Sequence, residues 1–492
     1  MASITAADVA HAGTAVVTVV KPGGGASNFV YFPIHHRFAA GAFARHDTVL
    51  ASGGFPGSVS FVGDFNGDGK LDVATMTGST IEVFLGNGDG TFQNPVFSNS
   101  SLQGAGLAAL GDFNNDGKPD LVAQDMYGDD FSYLGNGDGT FTEVSTMWGD
   151  WPGGTVVADL NRDGNLDVVN EGSEEGASGS DALLGNGQGV FALKWNGSIT
   201  NQTTGFCAVA DFNNDGKLDI ACPGGISFGN GVQVAFGNGD GTFGTPTSYP
   251  TPAVGFAVLT GDVNGDGKLD LVTDAGWVLL GNGDGTFNTP TGPAFGGVAF
   301  PQLVDINADG KLDVVGSAYN LGALRGVNST VVMVGNGDGT FQNAVAQEIS
   351  SGDGVVAWGD FNGDGKLDAV TFVQDLITAK PIMSVLLQTN LGVSQTIISY
   401  GPITVGTSST QTSVLTNIGT TTVNLNSIGF TIPSPSFTLG NGCGTSLAPG
   451  ASCTLTLTFT PPKKGALSAK VRISYSGTVG NPQYIEMSGT GN

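Results

Sequence analysis

A nine-residue acidic motif, D-x-N-x-D-G-x-x-D, occurs seven times between Asp64 and Asp368, and no other feature constrains the chain as strongly. The copies read DFNGDGKLD at Asp64–Asp72, DFNNDGKPD at Asp112–Asp120, DLNRDGNLD at Asp159–Asp167 and DFNNDGKLD at Asp211–Asp219. Next come DVNGDGKLD at Asp262–Asp270, DINADGKLD at Asp305–Asp313 and DFNGDGKLD at Asp360–Asp368. Their mean spacing is about 49 residues, a period typical of propeller blades built from short strands. A second motif trails six of the seven: LGNGDGTF at Leu85–Phe92 and Leu134–Phe141, with variants ending at Phe191, Phe243, Phe287 and Phe341.

Each repeat parses as four strands. In the first, Val59–Gly63 enters the nonapeptide, Leu71–Thr75 leaves it, Ile81–Leu85 runs into the Gly-rich turn, and a fourth strand starts at Thr91. Glycine is abundant, 81 of 492 residues, and supplies the positive φ that tight hairpins need. The pattern predicts an all-β fold, a seven-bladed β-propeller. The last repeat ends in VLLQTN (Val385–Asn390) without a GDGTF turn, and the stretch from Phe43 resembles the segments after GTF in the other repeats. That N-terminal stretch is expected to supply the missing outer strand of the last blade and so remove the exposed edges.

The propeller is expected over residues 37–391. Residues 392–492 are Ser/Thr-rich and alternate in runs such as TLTLTF and VRISYSG, the pattern of a β-sandwich. Residues 1–36 read as the last two strands of an immunoglobulin-like module, or a linker, and the chain reads as part of a longer protein.

The formal net charge is −26, with 40% hydrophobic and 12% charged residues. Nucleic-acid binding needs a basic footprint, and the balance is the opposite. No apolar run is long enough for a membrane helix, so no membrane insertion is expected, and the N-terminus lacks the pattern of a signal peptide. Collagen is excluded by the absence of a Gly-X-Y period, and disorder by the apolar content. The cysteines Cys207, Cys222, Cys443 and Cys453 do not fit a zinc site. Two local disulfides and an oxidising compartment are the favoured reading, with four buried thiols as the alternative.

The nonapeptide places oxygen side chains at odd positions, so a curling loop directs them to one centre. Position 1 is Asp64, Asp112, Asp159, Asp211, Asp262, Asp305 and Asp360; position 3 is Asn66, Asn114, Asn161, Asn213, Asn264, Asn307 and Asn362. Position 5 is Asp68, Asp116, Asp163, Asp215, Asp266, Asp309 and Asp364; position 9 is Asp72, Asp120, Asp167, Asp219, Asp270, Asp313 and Asp368. The position-7 carbonyl, from Lys70, Lys118, Asn165, Lys217, Lys268, Lys311 and Lys366, can add a fifth ligand. An oxygen set without sulfur or imidazole suits a hard, flexibly coordinated ion, so about seven Ca²⁺ are expected. Three carboxylates about 5 Å apart repel by roughly 3 kcal/mol per pair at an effective dielectric of 20, which an ion relieves. The competing reading is a metal-free turn, because Asp, Asn and Gly favour turns anyway. The Asp89, Asp138, Asp240, Asp284 and Asp338 of the GNGDG turns, replaced by Gln188 in the third repeat, read as structural. The loop lysines are expected to soften local charge.

Together the seven loops and LGNGDGTF turns resemble the VCBS/FG-GAP repeats of integrin-α-like propellers over about Phe38–Leu391. The resemblance implies Ca²⁺ at positions 1, 3, 5 and 9, loops on the lower face of the ring, and ligands on the opposite face. The chain departs from the integrin form in lacking Gly-Ala-Pro after the loop. FTLGNGCGTSLAPGASCTLTLTFTP (Phe437–Pro461) resembles hydin-like bacterial immunoglobulin-like modules, which implies a Cys443–Cys453 disulfide. Cys207 and Cys222 flank the fourth loop on neighbouring strands, where a cross-strand bridge fits.

On the face opposite the loops, Met147–Trp151 carries Trp148, Asp150 and Trp151, and Gln124–Phe131 carries Tyr127, Asp129 and Asp130. Asn170–Asp181 carries Glu171, Glu174 and Glu175, and Gly316–Thr330 carries Tyr319 and Arg325. Aromatics with carboxylates and amides suit a sugar; the plainer reading has the tryptophans plugging the gaps between blades. LDV tripeptides lie inside the loops and are not read as adhesion signals. Catalysis is not expected: no His lies beyond His46 and no Gly-x-Ser-x-Gly elbow stands beside a helical pattern. The expected function is a secreted or cell-surface, calcium-dependent adhesion or ligand-binding module whose partner is an extracellular glycan or protein. A polysaccharide lyase and a structural spacer of a large surface protein are the alternatives.

Overall fold

The computed structural model describes residues 13–17, 30–34, 43–49, 60–77, 79–102, 108–125, 129–148, 154–174, 177–197, 199, 206–224, 231–253, 255–292, 298–319, 328–343, 345–350, 355–374, 381–419, 421–476 and 482–492. Among the described residues every named element is a β-strand. No helix among them is long and apolar enough to cross a membrane.

Each nonapeptide joins the first two strands of one antiparallel sheet. The residue before position 1 pairs with position 9 every time, as in Gly63 with Asp72, Ala210 with Asp219 and Gly359 with Asp368. The loop is therefore the closed end of a hairpin. The first sheet runs Ser60–Gly63, Asp72–Thr77, Thr80–Phe84, Val96–Asn99, and the second Ala108–Gly111, Asp120–Gln124, Asp129–Gly135, Phe141–Trp148. The third runs Thr155–Ala158, Asp167–Glu174, Ala177–Gly185, Phe191–Gly197, and the fourth Ala208–Ala210, Asp219–Gly224, Gly231–Ala235, Thr247–Pro250. The fifth has Val258–Gly261, Asp270–Thr273 and Val278–Leu279, and the sixth Ala299–Val304, Asp313–Tyr319, Asn328–Met333 and Val345–Ser350. The seventh takes Val355–Gly359, Asp368–Gln374 and Pro381–Gln388, and its fourth strand is Phe43–Val49 from the other end of the chain. The expected exchange of an outer strand is thus present in the structure.

Two expected boundaries shift. In the first sheet Phe92 makes only an isolated bridge with Gly86, and the fourth strand starts at Val96, after Pro95. In the fifth sheet the fourth strand shrinks to one bridge, Val278 with Thr291. Pro290 and Pro293 bracket Thr291 and have no N–H to donate.

The apolar pair just after position 9 explains how the sheets stack. Strand neighbours point to opposite faces. Val73 packs with the seventh sheet's Val370 and Val385, and Ala74 with the second sheet's Leu121 and Tyr133. Val122 then packs with Val168, and Val169 with Ile220. Ala221 meets Leu271, Val272 meets Val314, and Val315 meets Ala369. The second strand of each sheet is buried on both faces, and the sequence of contacts leads from the first sheet to the seventh and back to the first.

The Gly-rich turns add a second set of links. In four of the turns the last glycine donates its N–H to a carbonyl at position 2 of an earlier nonapeptide: Gly139 to Phe65, Gly189 to Phe113, Gly285 to Phe212 and Gly339 to Val263, at 2.9–3.1 Å. Gly90 of the first repeat reaches Phe361 of the last, at 2.9 Å. Its φ is +82°, and an added Cβ would lie 2.8 Å from Leu387, so both conformation and contact call for glycine.

Residues beyond the seventh sheet form two sheets over one core that includes Leu391, Tyr400, Leu455, Phe459, Ile473 and Met487. Burial alternates strictly along Gln483–Gly491, as expected of strands with one wet face. Thr389 Oγ1 lies 2.8 Å from the Tyr475 hydroxyl, and Gln483 Nε2 donates to the Leu391 carbonyl at 2.7 Å. The Thr389–Tyr475 pair ties the C-terminal sheets to the end of the seventh sheet's third strand, and the Gln483 bond joins the two C-terminal sheets. Near the N-terminus, Gly13–Val17 and Val30–Ile34 pair as a two-stranded antiparallel sheet.

Candidate metal centres

Five of the seven loops share one full set of internal hydrogen bonds. In the first, Asp64 Oδ1 accepts from the Asp68 N–H at 3.0 Å and Asp64 Oδ2 from the Gly69 N–H at 2.8 Å. Asn66 Oδ1 also accepts from the Asp68 N–H, at 2.9 Å, and Asp68 Oδ1 accepts from the Lys70 N–H at 3.0 Å. Two side-chain oxygens within about 3 Å of one nitrogen must lie on the same side of the loop. The second, fourth, fifth and seventh loops repeat the whole arrangement. Position 6 is a positive-φ glycine in every copy.

Position 4 is also left-handed in every copy, through Gly67, Asn115, Arg162, Asn214, Gly265, Ala308 and Gly363. The motif leaves this position unspecified. Its one signal in the sequence is the recurrence of Gly and Asn there, the residues that tolerate this conformation best.

The position-9 aspartates are fully buried and tie the loop to the rest of the sheet. Asp72 Oδ2 accepts from the Phe65 N–H at 2.9 Å, and Oδ1 from the Gly86 N–H at 2.7 Å. Asp120, Asp167, Asp219, Asp270, Asp313 and Asp368 do the same in their own repeats. Burial pushes the carboxyls of Asp72, Asp120 and Asp313 up to about 7, and that of Asp167 to about 6, against the pull of those N–H groups. The neighbouring carboxylates at positions 1 and 5 push the same way.

Among the described residues no three acidic, histidine or cysteine side chains surround a common point. The loops nonetheless fit a hard cation. Their donors are all oxygen, and Asp159 Oδ1 at position 1 and Asn307 Oδ1 at position 3 are buried acceptors without a hydrogen-bond partner. An ion here would draw on positions 1, 3 and 5 and the position-7 carbonyl, with position 9 serving chiefly as the anchor beneath. Five lysines at position 7 lie 3.3–3.8 Å from the position-5 carboxylate of their own loop, as expected for groups that soften its charge.

The GNGDG turns hold no comparable arrangement. Asp89 Oδ1 accepts from both the N–H and the hydroxyl of Thr91, and Asn87 Nδ2 donates to that hydroxyl. Asp138, Asp240, Asp284 and Asp338 repeat the capping of a threonine. In the third repeat the Gln188 N–H turns to Asn186 Oδ1 instead.

Both disulfides form, Cys207 with Cys222 and Cys443 with Cys453. The first bridges the two strands that carry the fourth nonapeptide. Of the residues expected to touch a ligand, Trp148 ends the strand Phe141–Trp148 opposite Asp129, and Tyr319 ends Asp313–Tyr319 opposite Asn328. Tyr127, Trp151 and Arg325 lie outside the described residues.

Comparison with known proteins identifies the repeats. The FG-GAP-like repeat family matches at residues 64–123, 112–169, 225–273 and 305–371, so the chain contains FG-GAP-like repeats. Residues 388–492 match Cep192 domain 4. No curated protein matches the chain. Among solved structures, the ASH/PapD-like domain 7 of human CEP192 is similar at 15% identity, covering 21% of this chain and 86% of its own, with a TM-score of 0.19. BBS1N, crystallised with ARL6DN and soaked with lead, is similar at 10% identity over 70% of this chain and 97% of its own, with a TM-score of 0.45. The VesB protease of Vibrio cholerae is similar at 12% identity over 68% and 95%, with a TM-score of 0.20. All three TM-scores are low, and the likenesses identify neither fold nor function.

Proposed function

We propose that residues 37–391 form a closed seven-bladed propeller whose nonapeptides bind about seven Ca²⁺, and that it serves as an extracellular adhesion or ligand-binding module. The observation that carries this reading is the repetition of an oxygen-lined loop at the same end of seven sheets, five of the loops with one identical set of hydrogen bonds. Closure is supported by the packing of the seventh sheet on the first, by the strand Phe43–Val49 in the seventh sheet, and by the Gly90 N–H on the Phe361 carbonyl. Residues 392–492 are read as an immunoglobulin-like, hydin-like sandwich. Two disulfides support an oxidising, extracellular setting.

Each bound ion offsets the carboxylates at positions 1 and 5 and stabilises only the folded loop, by about 2.7 kcal/mol at a concentration of 100 Kd. The partner is a glycan or protein on the face opposite the nonapeptides, and the module binds without catalysing. A glycan and matrix-protein array probed with and without EDTA tests the reading. Binding to at least one glycan or matrix protein that EDTA abolishes is expected; no calcium-dependent binding to any of them contradicts it.

A further inference from the structure

Two stretches rich in carboxylates meet between the second and third sheets, at the ends of the strands away from the nonapeptides. Asp130 is the second residue of Asp129–Gly135 and pairs with Gln124. Asn170 lies in Asp167–Glu174, directly opposite Asp181 of Ala177–Gly185. Asn170 Nδ2 donates to Asp130 Oδ2 at 2.9 Å, across the two sheets. Both side chains are almost wholly buried, 4% and 2% exposed. Their remaining oxygens, Asp130 Oδ1 and Asn170 Oδ1, are buried with no hydrogen-bond partner. Asp181, 8% exposed, accepts from Asn196 Nδ2 on its Oδ1 at 2.8 Å.

Both orphan atoms are acceptors, so neither can satisfy the other while Asp130 is ionised. Buried acceptors in this state are costly, and a carboxylate is the most costly kind. Burial and the charges of Asp181 and Asp129 disfavour the ionised Asp130, while the Gln124 and Asn170 side chains pull the other way. The site is distinct from the loops: Asn170 is three residues beyond the third loop's position 9, about 10 Å along a strand.

We propose that Asp130 Oδ1, Asn170 Oδ1 and the Asp181 carboxylate hold a further hard divalent cation of the Ca²⁺ class between the second and third sheets. An all-oxygen set of two carboxylates and an amide suits such an ion and no soft one. It gives both orphan oxygens a partner and offsets the clustered negative charge. The competing occupant is a proton on Asp130 Oδ1, shared with Asn170 Oδ1 as an acid–amide pair.

Full-length protein saturated with Ca²⁺, desalted and analysed for metal separates the two. Asp130→Asn is expected to remove one ion relative to wild type. Asp64→Ala is expected to remove a different one, so the double variant loses two. The wild-type-minus-D130N difference is read whether or not the nonapeptides bind ions, so its failure is distinct from theirs. An unchanged ion count in D130N, with a Tm equal to or above wild type, overturns the proposal, because the acid–amide pair tolerates a second amide. Should D130N fail to fold, Asn170→Ala decides. The cation site predicts that calcium titration shows one ion weakened at least about tenfold, and an unaltered titration overturns it.

Discussion

Asp72 and its six counterparts do more at the scale of single residues than their place in an ion-binding motif implies. Each receives the loop's own position-2 N–H and an N–H from the end of the third strand, a glycine in Asp72's case, so one carboxylate fixes both ends of its sheet. Buried and without an ion, Asp72, Asp120 and Asp313 are held up at about 7 from an ordinary 3.8. A carboxyl whose folded value is raised holds its proton more tightly in the folded chain. Its stabilising effect is therefore full below about pH 4 and is lost as pH rises toward 7. A cation held by the neighbouring positions 1 and 5 would favour the ionised form and offset that loss. Melting followed from pH 4 to 8 should show Tm falling with rising pH in EDTA and a flat or rising Tm in millimolar Ca²⁺; parallel curves would contradict the coupling. Position 4 gives a second test. Ala308 sits at φ +57°, where an L-residue other than Asn is strained. Ala308→Gly should stabilise the protein by about 1 kcal/mol in urea unfolding, against the usual cost of adding glycine.

Each repeat behaves as one element, a hairpin closed by its nonapeptide and extended by a second hairpin. The Cys207–Cys222 bridge closes 15 residues that include the whole fourth loop. Replacing both cysteines by alanine should cost about 3 kcal/mol, measured as a lower urea midpoint, with an equal loss on reduction of the wild type. Much at this scale was legible in the sequence. The doublets after position 9 (Val73–Ala74, Leu121–Val122, Val314–Val315) read as strands, and their burial on both faces follows from the alternation of strand side chains. The late start at Val96 and the single bridge at Thr291 were not legible, because proline decides pairing only where a partner N–H is needed. The left-handed turn at position 4 was masked by Arg162 and Ala308, whose chemistry does not announce it. The Asp130–Asn170 contact joins residues 40 apart in sequence and has no local signal at all.

Across the whole molecule the seventh loop differs from the rest because the C-terminal sheets begin beside it. Asp364 and Lys366 are each 17% exposed, against 33% and 43% for Asp68 and Lys70. Lys366 Nζ reaches Asn390 Oδ1 at 3.5 Å. Gly365 is buried, as Gly69 is not. An ion in that loop should exchange more slowly than the others, visible as a slow phase of about one ion in seven when ⁴⁵Ca²⁺ is chased with unlabelled Ca²⁺. Exchange in a single phase would contradict it. The seventh sheet also joins both ends of the repeat array through Phe43–Val49, so a shortened chain beginning after Val49 should lose cooperative unfolding rather than one blade. The central claim is that the nonapeptides hold their sheets together around bound ions. Metal analysis of protein kept in millimolar Ca²⁺ until desalting tests it most directly. At least about seven calcium ions per chain and a Tm that EDTA lowers sharply are expected, while a chain free of stoichiometric metal, melting identically with and without EDTA, contradicts the claim.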